Sequence, residues 1–226
     1  MDTYSETLIQ ETVELARQLR HEHQWKNLFS KYYWGFCFRA TKFIEGLFRQ
    51  AVSFDKRILN VGCGVRFLDD AVNSDLWAPH RYLKHRRRPD LYWSGTTPLT
   101  NLEGQFELVV CEHVIEHLLP DEVFGFFTNI FAFLARGGVL IVSFPDLGRV
   151  LGGGLCQGYQ SPIVSVNSLI YRHGHCFMYD TQLVAELLRQ VGFDSVASKS
   201  RGELDAKEFL SAGREPETSY VIAHRP

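Results

Sequence analysis

Apolar residues follow a helical spacing at the start of the chain. From Arg57 onwards the pattern changes to short runs of residues that favour β-strands. The apolar residues repeat every three or four residues from Thr7 to Arg20, which predicts an amphipathic surface helix. The aromatic-rich segment from Trp25 to Ala51 predicts one or two further helices with large buried side chains. We interpret residues 1–55 as a helical segment that either packs on the next domain or closes over its ligand pocket as a lid.

The remainder of the chain alternates strands, glycine turns and helices. Seven runs are predicted to be strands: Ile58–Val61, Ala71–Leu76, Leu91–Trp93, Phe106–Cys111, Val139–Phe144, Phe193–Ser198 and Ser219–Ala223. Helices are predicted over Pro120–Ala135, closed by Gly137 and Gly138, and over Thr181–Gln190, which Asp180 or Thr181 caps and Gly192 closes.

The sequence also predicts the structure of three segments that connect the strands and helices. Asp75 follows Gly64 by only 11 residues (75 − 64), so the first connection is expected to hold a truncated or irregular helix. The basic stretch Arg81–Asp90 is predicted to be a loop. Residues 151–168 are rich in Gly, Ser and Pro, which predicts a long active-site loop.

Together these elements predict one α/β domain over residues 56–226. Its core is an open, mostly parallel, Rossmann-like sheet of seven strands with helices on both faces. Such sheets bind ligands at the carboxyl ends of their strands, near the point where the strand order reverses. The pocket is therefore predicted among the loops that begin at Gly62, Asp75, Ser94, Glu112 and Pro145.

Composition and charge narrow the classes of function. The 226 residues are 45% hydrophobic and 22% charged, as expected of a globular protein, and the net charge of −2 disfavours a nucleic-acid-binding surface. The five cysteines contain no C-x-x-C pair, which indicates a reducing compartment. With no apparent signal peptide or membrane span, a cytoplasmic location is expected.

The glycine turn after the first predicted strand indicates what kind of ligand binds. Gly62 and Gly64 allow backbone to approach a ligand, but Phe67 stands where the dinucleotide fingerprint has its third glycine. A cofactor without a pyrophosphate is therefore favoured. Asp75, after the second strand, can accept hydrogen bonds from both ribose hydroxyls; the alternative is a solvated loop acid.

Five segments in this order carry a resemblance to a known family. They are I-L-N-V-G-C-G (58–64), N-S-D (73–75), F-E-L-V-V-C-E-H-V-I-E-H-L (106–118), F-L-A-R-G-G-V-L-I-V-S-F-P-D-L (133–147) and H-C-F-M-Y-D (175–180). The chain resembles the class I S-adenosylmethionine-dependent methyltransferases, and within them a bacterial subgroup of small enzymes with a shortened first connection. The resemblance covers roughly Lys56 to Ala223.

The resemblance implies S-adenosylmethionine as cofactor and S-adenosylhomocysteine as product. It places Val61, Gly62, Cys63 and Gly64 along the methionine and ribose, Asp75 at the ribose hydroxyls, Ser94 and Gly95 near the adenine, and Cys111, Glu112 and His113 on the methionine side. Relatives often carry an acid where this chain has Ser94, to accept from the adenine amino group. At this position the chain therefore departs from the pattern of the family.

Methyl transfer depends mainly on positioning and water exclusion, with a general base where the acceptor is a hydroxyl or a protonated amine. His113 and His175 are the candidate bases, and Tyr33, Trp34 and Tyr179 the candidate acceptor-binding residues. The expected acceptor is a small molecule or peptide, methylated on oxygen or nitrogen by a monomer or homodimer.

Two other functions stay open. One is a non-catalytic partner or regulatory subunit of the same fold. The other is a zinc hydrolase, because His113-Val114-Ile115-Glu116-His117 matches the H-x-x-E-H signature. That signature requires a longer helix and a third acidic ligand, and the same string is common after the fourth strand of the methyltransferases. No metal site is therefore predicted.

Overall fold

In a computed structural model, the structure describes residues 10–15, 17, 27–47, 55–79, 84, 86–153, 159–171, 174–211 and 216–226. The strands are β1 (Ile58–Val61), β2 (Ala71–Asp75), β3 (Leu91–Tyr92), β4 (Phe106–Glu112), β5 (Leu134–Pro145), β6 (Asp194–Lys199) and β7 (Thr218–His224). The helices are α1 (Asn27–Leu47), α2 (Pro120–Phe133), α3 (Leu147–Leu151), α4 (Pro162–Tyr171) and α5 (Thr181–Val191), and residues 10–15 are also helical.

The strands form one sheet in the order β3-β2-β1-β4-β5-β7-β6. Strands β1 to β5 pair in parallel, and β7 runs antiparallel to both β5 and β6. Val61 is in register with Ser74 on one side and Cys111 on the other, so the carboxyl ends of β1, β2 and β4 lie together. The strand order reverses at this point, which confirms the predicted Rossmann-like sheet. The edge where these strands end is where ligand binding is predicted.

The two faces of the sheet are covered differently. Helices α2 and α5 pack on one face through Phe127, Ile130 and Leu188, which belong to the main hydrophobic core. On the other face, Ile141 and Tyr220 pack with Leu204 and Leu210, which border short 3-10 helices at Arg201–Glu203 and Lys207–Phe209.

The connection between β1 and β2 contains no helix, which corrects the expectation of a truncated one. Two buried asparagines that face each other across the strands, Asn60 and Asn73, organise it instead. The Asn60 side-chain amide donates to the Arg66 backbone carbonyl at 2.9 Å, and the Asn73 side-chain oxygen accepts from the Leu68 backbone amide at 2.8 Å. These bonds satisfy backbone groups that a helix would otherwise satisfy.

Three other boundaries differ from the prediction. Helix α2 ends at Phe133 rather than Ala135, because the buried Leu134 already pairs with Phe106 in the sheet. Gly137 and Gly138 belong to β5 and bond to Arg225 instead of capping the helix. Residue 84, within the predicted loop Arg81–Asp90, is helical, while residues 80–83 and 85 lie outside the described residues.

The predicted long loop over residues 151–168 is wrong for most of its described part. Helix α4 starts at Pro162, and α3 ends at Leu151, so residues 152–161 connect two helices, with 154–158 outside the described residues. Val150 and Leu169 bury each other between them. Glu11, in the N-terminal helical residues, accepts backbone hydrogen bonds from Gln160 and Ser161 at 2.5 and 2.8 Å, and so joins the first residues to this connection.

Helix α1 is continuous and lies over the ends of β2 and β3. Its buried positions Cys37, Thr41 and Glu45 are spaced four residues apart, on one face of the helix. The Thr41 hydroxyl accepts from the Trp77 amide at 2.8 Å, just after β2, and Phe36 contacts the Trp77 ring edge-on at 6.1 Å. The N-terminal helical segment therefore covers part of the predicted ligand-binding edge.

Candidate cofactor-binding and catalytic site

Two glycines at the carboxyl edge are required by close packing of protein side chains. Gly62, after β1, has φ of +66°, and a Cβ there would lie 2.3 Å from the Val114 side chain. Gly95, after β3, has φ of +86°, and a Cβ there would lie 2.8 Å from the Phe126 ring. Gly62 was predicted from the approach of a ligand, and Gly95 from the family resemblance. Within the protein, the neighbours that exclude a side chain are the loop after β4 and helix α2.

Asp75 ends β2 and directs its carboxylate toward the glycine turn. One oxygen accepts from the Gly64 amide at 2.8 Å, and the other accepts from the Leu76 amide at 2.7 Å. Cys63, buried in the same turn, donates its amide to the Ser74 carbonyl at 3.0 Å. A carboxylate at this place has the chemistry to accept from a pair of hydroxyls beside the turn.

A buried acid that sequence reasoning missed lies beside Ser94. Glu45 of helix α1 is only 3% exposed, and its carboxylate accepts from the Ser94 amide at 2.5 Å and from the Ser94 hydroxyl at 3.2 Å. This is the region where the resemblance implies adenine contacts and where the chain lacks the usual acid. The signal for Glu45 is its four-residue spacing from Cys37 and Thr41, and only the fold reveals which loop that face meets.

At the end of β4, Cys111 is buried in the core and Glu112 bonds to other protein groups. Cys111 is fully buried, and burial, with the nearby charges of Glu116 and Glu112, raises the pKa of its thiol well above the usual value. The Glu112 carboxylate bonds to the Arg66 guanidinium at 2.9 Å and accepts from the Ser211 amide and hydroxyl. It therefore ties the glycine turn to the segment before β7.

His113 and Glu116 form a mostly buried pair after β4. His113 has φ of +54°, an uncommon conformation for a non-glycine residue. Its Nδ1 lies 3.2 Å from a Glu116 carboxylate oxygen and its Nε2 lies 3.1 Å from the Thr218 hydroxyl. Burial alone would raise the pKa of Glu116, but the hydrogen bond and charge of His113, with the charge of His117, hold that pKa below the usual value.

The H-x-x-E-H string does not form the helical zinc signature. The positive φ of His113 interrupts the backbone, and Ile115–His117 form a single 3-10 turn. His113 and His117 therefore do not share one face of an α-helix, as that signature requires. His117 lies instead beside His175, with ring centroids 5.2 Å apart.

The remaining predicted residues lie on two other segments. Tyr33 and Trp34 are partly buried on α1 and contact each other edge-on at 5.5 Å. Tyr179 is buried between Phe144 and Phe177. Burial, with the charges of Glu116 and Cys176, raises the pKa of its phenol to about 12, so Tyr179 stays protonated at neutral pH.

Comparison with known proteins identifies the family. A family model described as a methyltransferase domain matches residues 33–198. The chain belongs to the class I S-adenosylmethionine-dependent methyltransferases. No curated protein matches it. None of the helices that the structure describes is long and apolar enough to span a membrane.

Solved methyltransferase structures share the fold at low sequence identity. An S-adenosylmethionine-dependent methyltransferase from Archaeoglobus fulgidus is 15% identical, with a TM-score of 0.53 over 89% of this chain and 100% of that one. A methyltransferase from Thermotoga maritima, described as a possible histamine N-methyltransferase, is 16% identical, with a TM-score of 0.51 over 92% of this chain and 100% of that one.

The cofactor of the family is S-adenosylmethionine, and the groups at the carboxyl edge fit its chemistry. Asp75 offers carboxylate oxygens for a ribose diol next to a glycine turn, and Glu45 offers buried carboxylate oxygens beside Ser94, where the resemblance implies the adenine. A pyrophosphate would instead need the third glycine that Phe67 replaces.

Proposed function

We propose that this methyltransferase transfers the methyl group of S-adenosylmethionine to an oxygen or nitrogen of a small molecule or peptide. The observation that carries the proposal is the Asp75 carboxylate, held against the Gly64 amide where the strand order reverses. We assign Asp75 to the ribose, Glu45 to the adenine amino group, and the Val61–Gly64 turn to the methionine portion.

The bound cofactor supplies an activated methyl group, so the work of the protein is to orient the acceptor and exclude water. Helix α1 contributes the cover, through Thr41 and Glu45 at the ends of β2 and β3. His113 is the proposed general base: the Glu116 carboxylate faces Nδ1, which keeps the proton there and leaves Nε2 as the basic nitrogen. Release of the Thr218 hydroxyl from Nε2 would let it accept an acceptor proton.

Calorimetry tests the cofactor site. We expect purified protein to bind S-adenosylmethionine and S-adenosylhomocysteine with micromolar affinity, and Asp75→Ala to weaken both by about 100-fold, as loss of hydrogen bonds to a charged group predicts. Asp70→Ala, which removes an exposed carboxylate from the same connection, is the matched control and should bind normally.

A turnover assay separates an enzyme from a regulatory subunit. Release of S-adenosylhomocysteine is measured against panels of phenols, amines and short peptides. Turnover that falls at least about 100-fold in His113→Asn with unchanged cofactor affinity supports the assigned base. Cofactor binding without turnover on any acceptor supports the non-catalytic function, and no binding at all overturns the proposal.

A further inference from the structure

Three side chains come together beside the proposed base, and one of them, Glu116, also faces His113 Nδ1. Glu116 and His117 lie on the 3-10 turn after β4, and His175 lies in the segment between α4 and α5. One ligand atom from each residue lies within 4.8 Å of the others. We propose that Glu116, His117 and His175 bind a divalent transition-metal ion, and that the open coordination position takes an oxygen of the methyl acceptor. The role of the acceptor rests on the proposed function; metal binding does not.

Both histidines are held in the form that binds a metal. The Nδ1 of His117 lies 3.3 Å from the Gly174 carbonyl, and the Nδ1 of His175 lies 2.6 Å from the Leu169 carbonyl. A carbonyl only accepts, so both contacts favour the tautomer with the proton on Nδ1, in which Nε2 is the nitrogen that can bind a metal. Metal-binding histidines are characteristically fixed in this way, with the second ring nitrogen donating to a backbone carbonyl or a carboxylate.

Glu116 supplies a negative charge that the described residues balance incompletely. Its side chain is fully buried, and His113 Nδ1, 3.2 Å from one carboxylate oxygen, is the one side-chain group of the described residues that bonds to it. A buried carboxylate without full hydrogen bonding is costly. A cation on the side facing His117 and His175 would balance it.

The backbone keeps the two segments together without a metal. The Glu116 carbonyl accepts from the Cys176 amide at 2.7 Å and from the Phe177 amide at 3.3 Å. His175 is therefore positioned next to Glu116 by main-chain hydrogen bonds on the residues that follow it. Metal–ligand bonds of about 2.0–2.2 Å require the three ligand atoms to draw somewhat closer, which side-chain rotation can provide.

The donor set indicates the class of ion. Two imidazole nitrogens and one carboxylate oxygen suit Zn²⁺, Mn²⁺, Fe²⁺ or Co²⁺ rather than Ca²⁺, which prefers oxygen ligands. Three protein ligands leave at least one position open, and a bound hydroxyl has a lowered pKa. An acceptor hydroxyl on the metal would lose its proton to the proposed base His113 and keep the metal–oxygen bond, so an alcohol, phenol or catechol is the favoured acceptor class.

Metal titration tests the site directly. Protein stripped with a chelator is titrated with Zn²⁺ by calorimetry and with Co²⁺ by visible absorption. We expect one equivalent to bind, and Glu116→Gln, His117→Asn and His175→Asn each to weaken binding by about 100-fold or more. Cys176→Ser and His224→Asn are the controls, because Cys176 neighbours the cluster and His224 lies on β7. Both controls should bind as the unaltered protein does.

Several results would overturn the site: no stoichiometric binding, undiminished Zn²⁺ affinity in both histidine variants, or loss of binding in Cys176→Ser. Circular dichroism and S-adenosylhomocysteine calorimetry on each variant separate ligand loss from unfolding. The same cofactor titration on metal-free protein tests the proposed function separately from the metal site. Cofactor binding without metal binding rejects only the metal site, whereas metal binding without cofactor binding rejects only the proposed function.

Discussion

Glu45 had no predicted role, and the fold places its buried carboxylate against Ser94. Its two oxygens accept from the amide and hydroxyl of Ser94, and an amide side chain offers an acceptor at only one of those places. We expect Glu45→Gln to weaken S-adenosylhomocysteine binding by about 10-fold, the cost of one charged hydrogen bond. Calorimetry against the natural product and an analogue without the adenine amino group measures this.

The analogue decides what Glu45 does. If Glu45 accepts from the adenine amino group, the unaltered protein prefers the natural product, and Glu45→Gln loses that preference. An equal loss of affinity for both ligands would show instead that Glu45 only positions α1. Glu103→Gln, an exposed acid near the end of a 3-10 helix, is the control.

Tyr179 provides a stability prediction with a pH dependence. Its buried hydroxyl has no hydrogen-bond partner among the described residues, so Tyr179→Phe should leave stability unchanged or raise it by about 1 kcal/mol. The phenol ionises near its reference pKa of 10.0 in the unfolded chain and at about 12 in the folded protein. Between those values only the unfolded state loses the proton, so the unaltered protein loses stability as pH rises.

Tyr179→Phe should therefore unfold less readily in alkaline solution than the unaltered protein. Urea denaturation of metal-free protein at pH 8 and pH 11 measures the difference. Tyr171→Phe, at an exposed position on α4, should show neither effect. A loss of stability of more than about 1 kcal/mol in Tyr179→Phe would show that the hydroxyl has a partner.

Helix α1 is attached to the loop after β2 through the Thr41 hydroxyl. Thr41 donates to the Cys37 carbonyl at 2.7 Å and accepts from the Trp77 amide. Thr41→Val keeps the shape and leaves a partly buried amide without its acceptor, which costs about 1–3 kcal/mol. We expect faster hydrogen exchange at Trp77 and along residues 33–45, with the central strands unchanged.

The chain contains a matched control on another helix. Thr128 of α2 makes the same bond to the carbonyl four residues earlier, Phe124, on an exposed face. Thr128→Val should therefore leave exchange near α1 unchanged. If Thr41→Val also leaves exchange at Trp77 unchanged, the hydroxyl does not attach the helix.

Strands and well-capped helices were predictable from the sequence because local chemistry determines them. Asp180 accepts from the Leu183 amide at 2.7 Å and Gly192 ends α5, as their residue types predict. The helix-free first connection was not predictable, since the Asn60 and Asn73 bonds join residues on two strands. Gly137 and Gly138 have the local pattern of a cap, and only pairing with the distant Arg225 places them in β5.

At the level of the whole molecule, the strand runs predicted a sheet and its binding edge, and the sequence motifs predicted the family. They did not predict which side chains meet there. Glu45 reaches Ser94 across 49 residues, and Glu112 reaches Ser211 across 99. Such contacts depend on how elements pack, which periodicity along the chain does not encode.

Ligand binding at that edge should stabilise the entire fold, because the site joins β1, β2, β3 and α1. S-adenosylhomocysteine at 100 times its dissociation constant contributes about 2.7 kcal/mol, which corresponds to a rise in Tm of about 5 to 10 °C for a domain of this size. If Asp75→Ala weakens binding 100-fold, the same concentration contributes about 0.4 kcal/mol and raises Tm by only about 1 °C. Differential scanning calorimetry with and without the ligand measures both shifts. An equal rise in the two proteins would place the bound ligand away from Asp75.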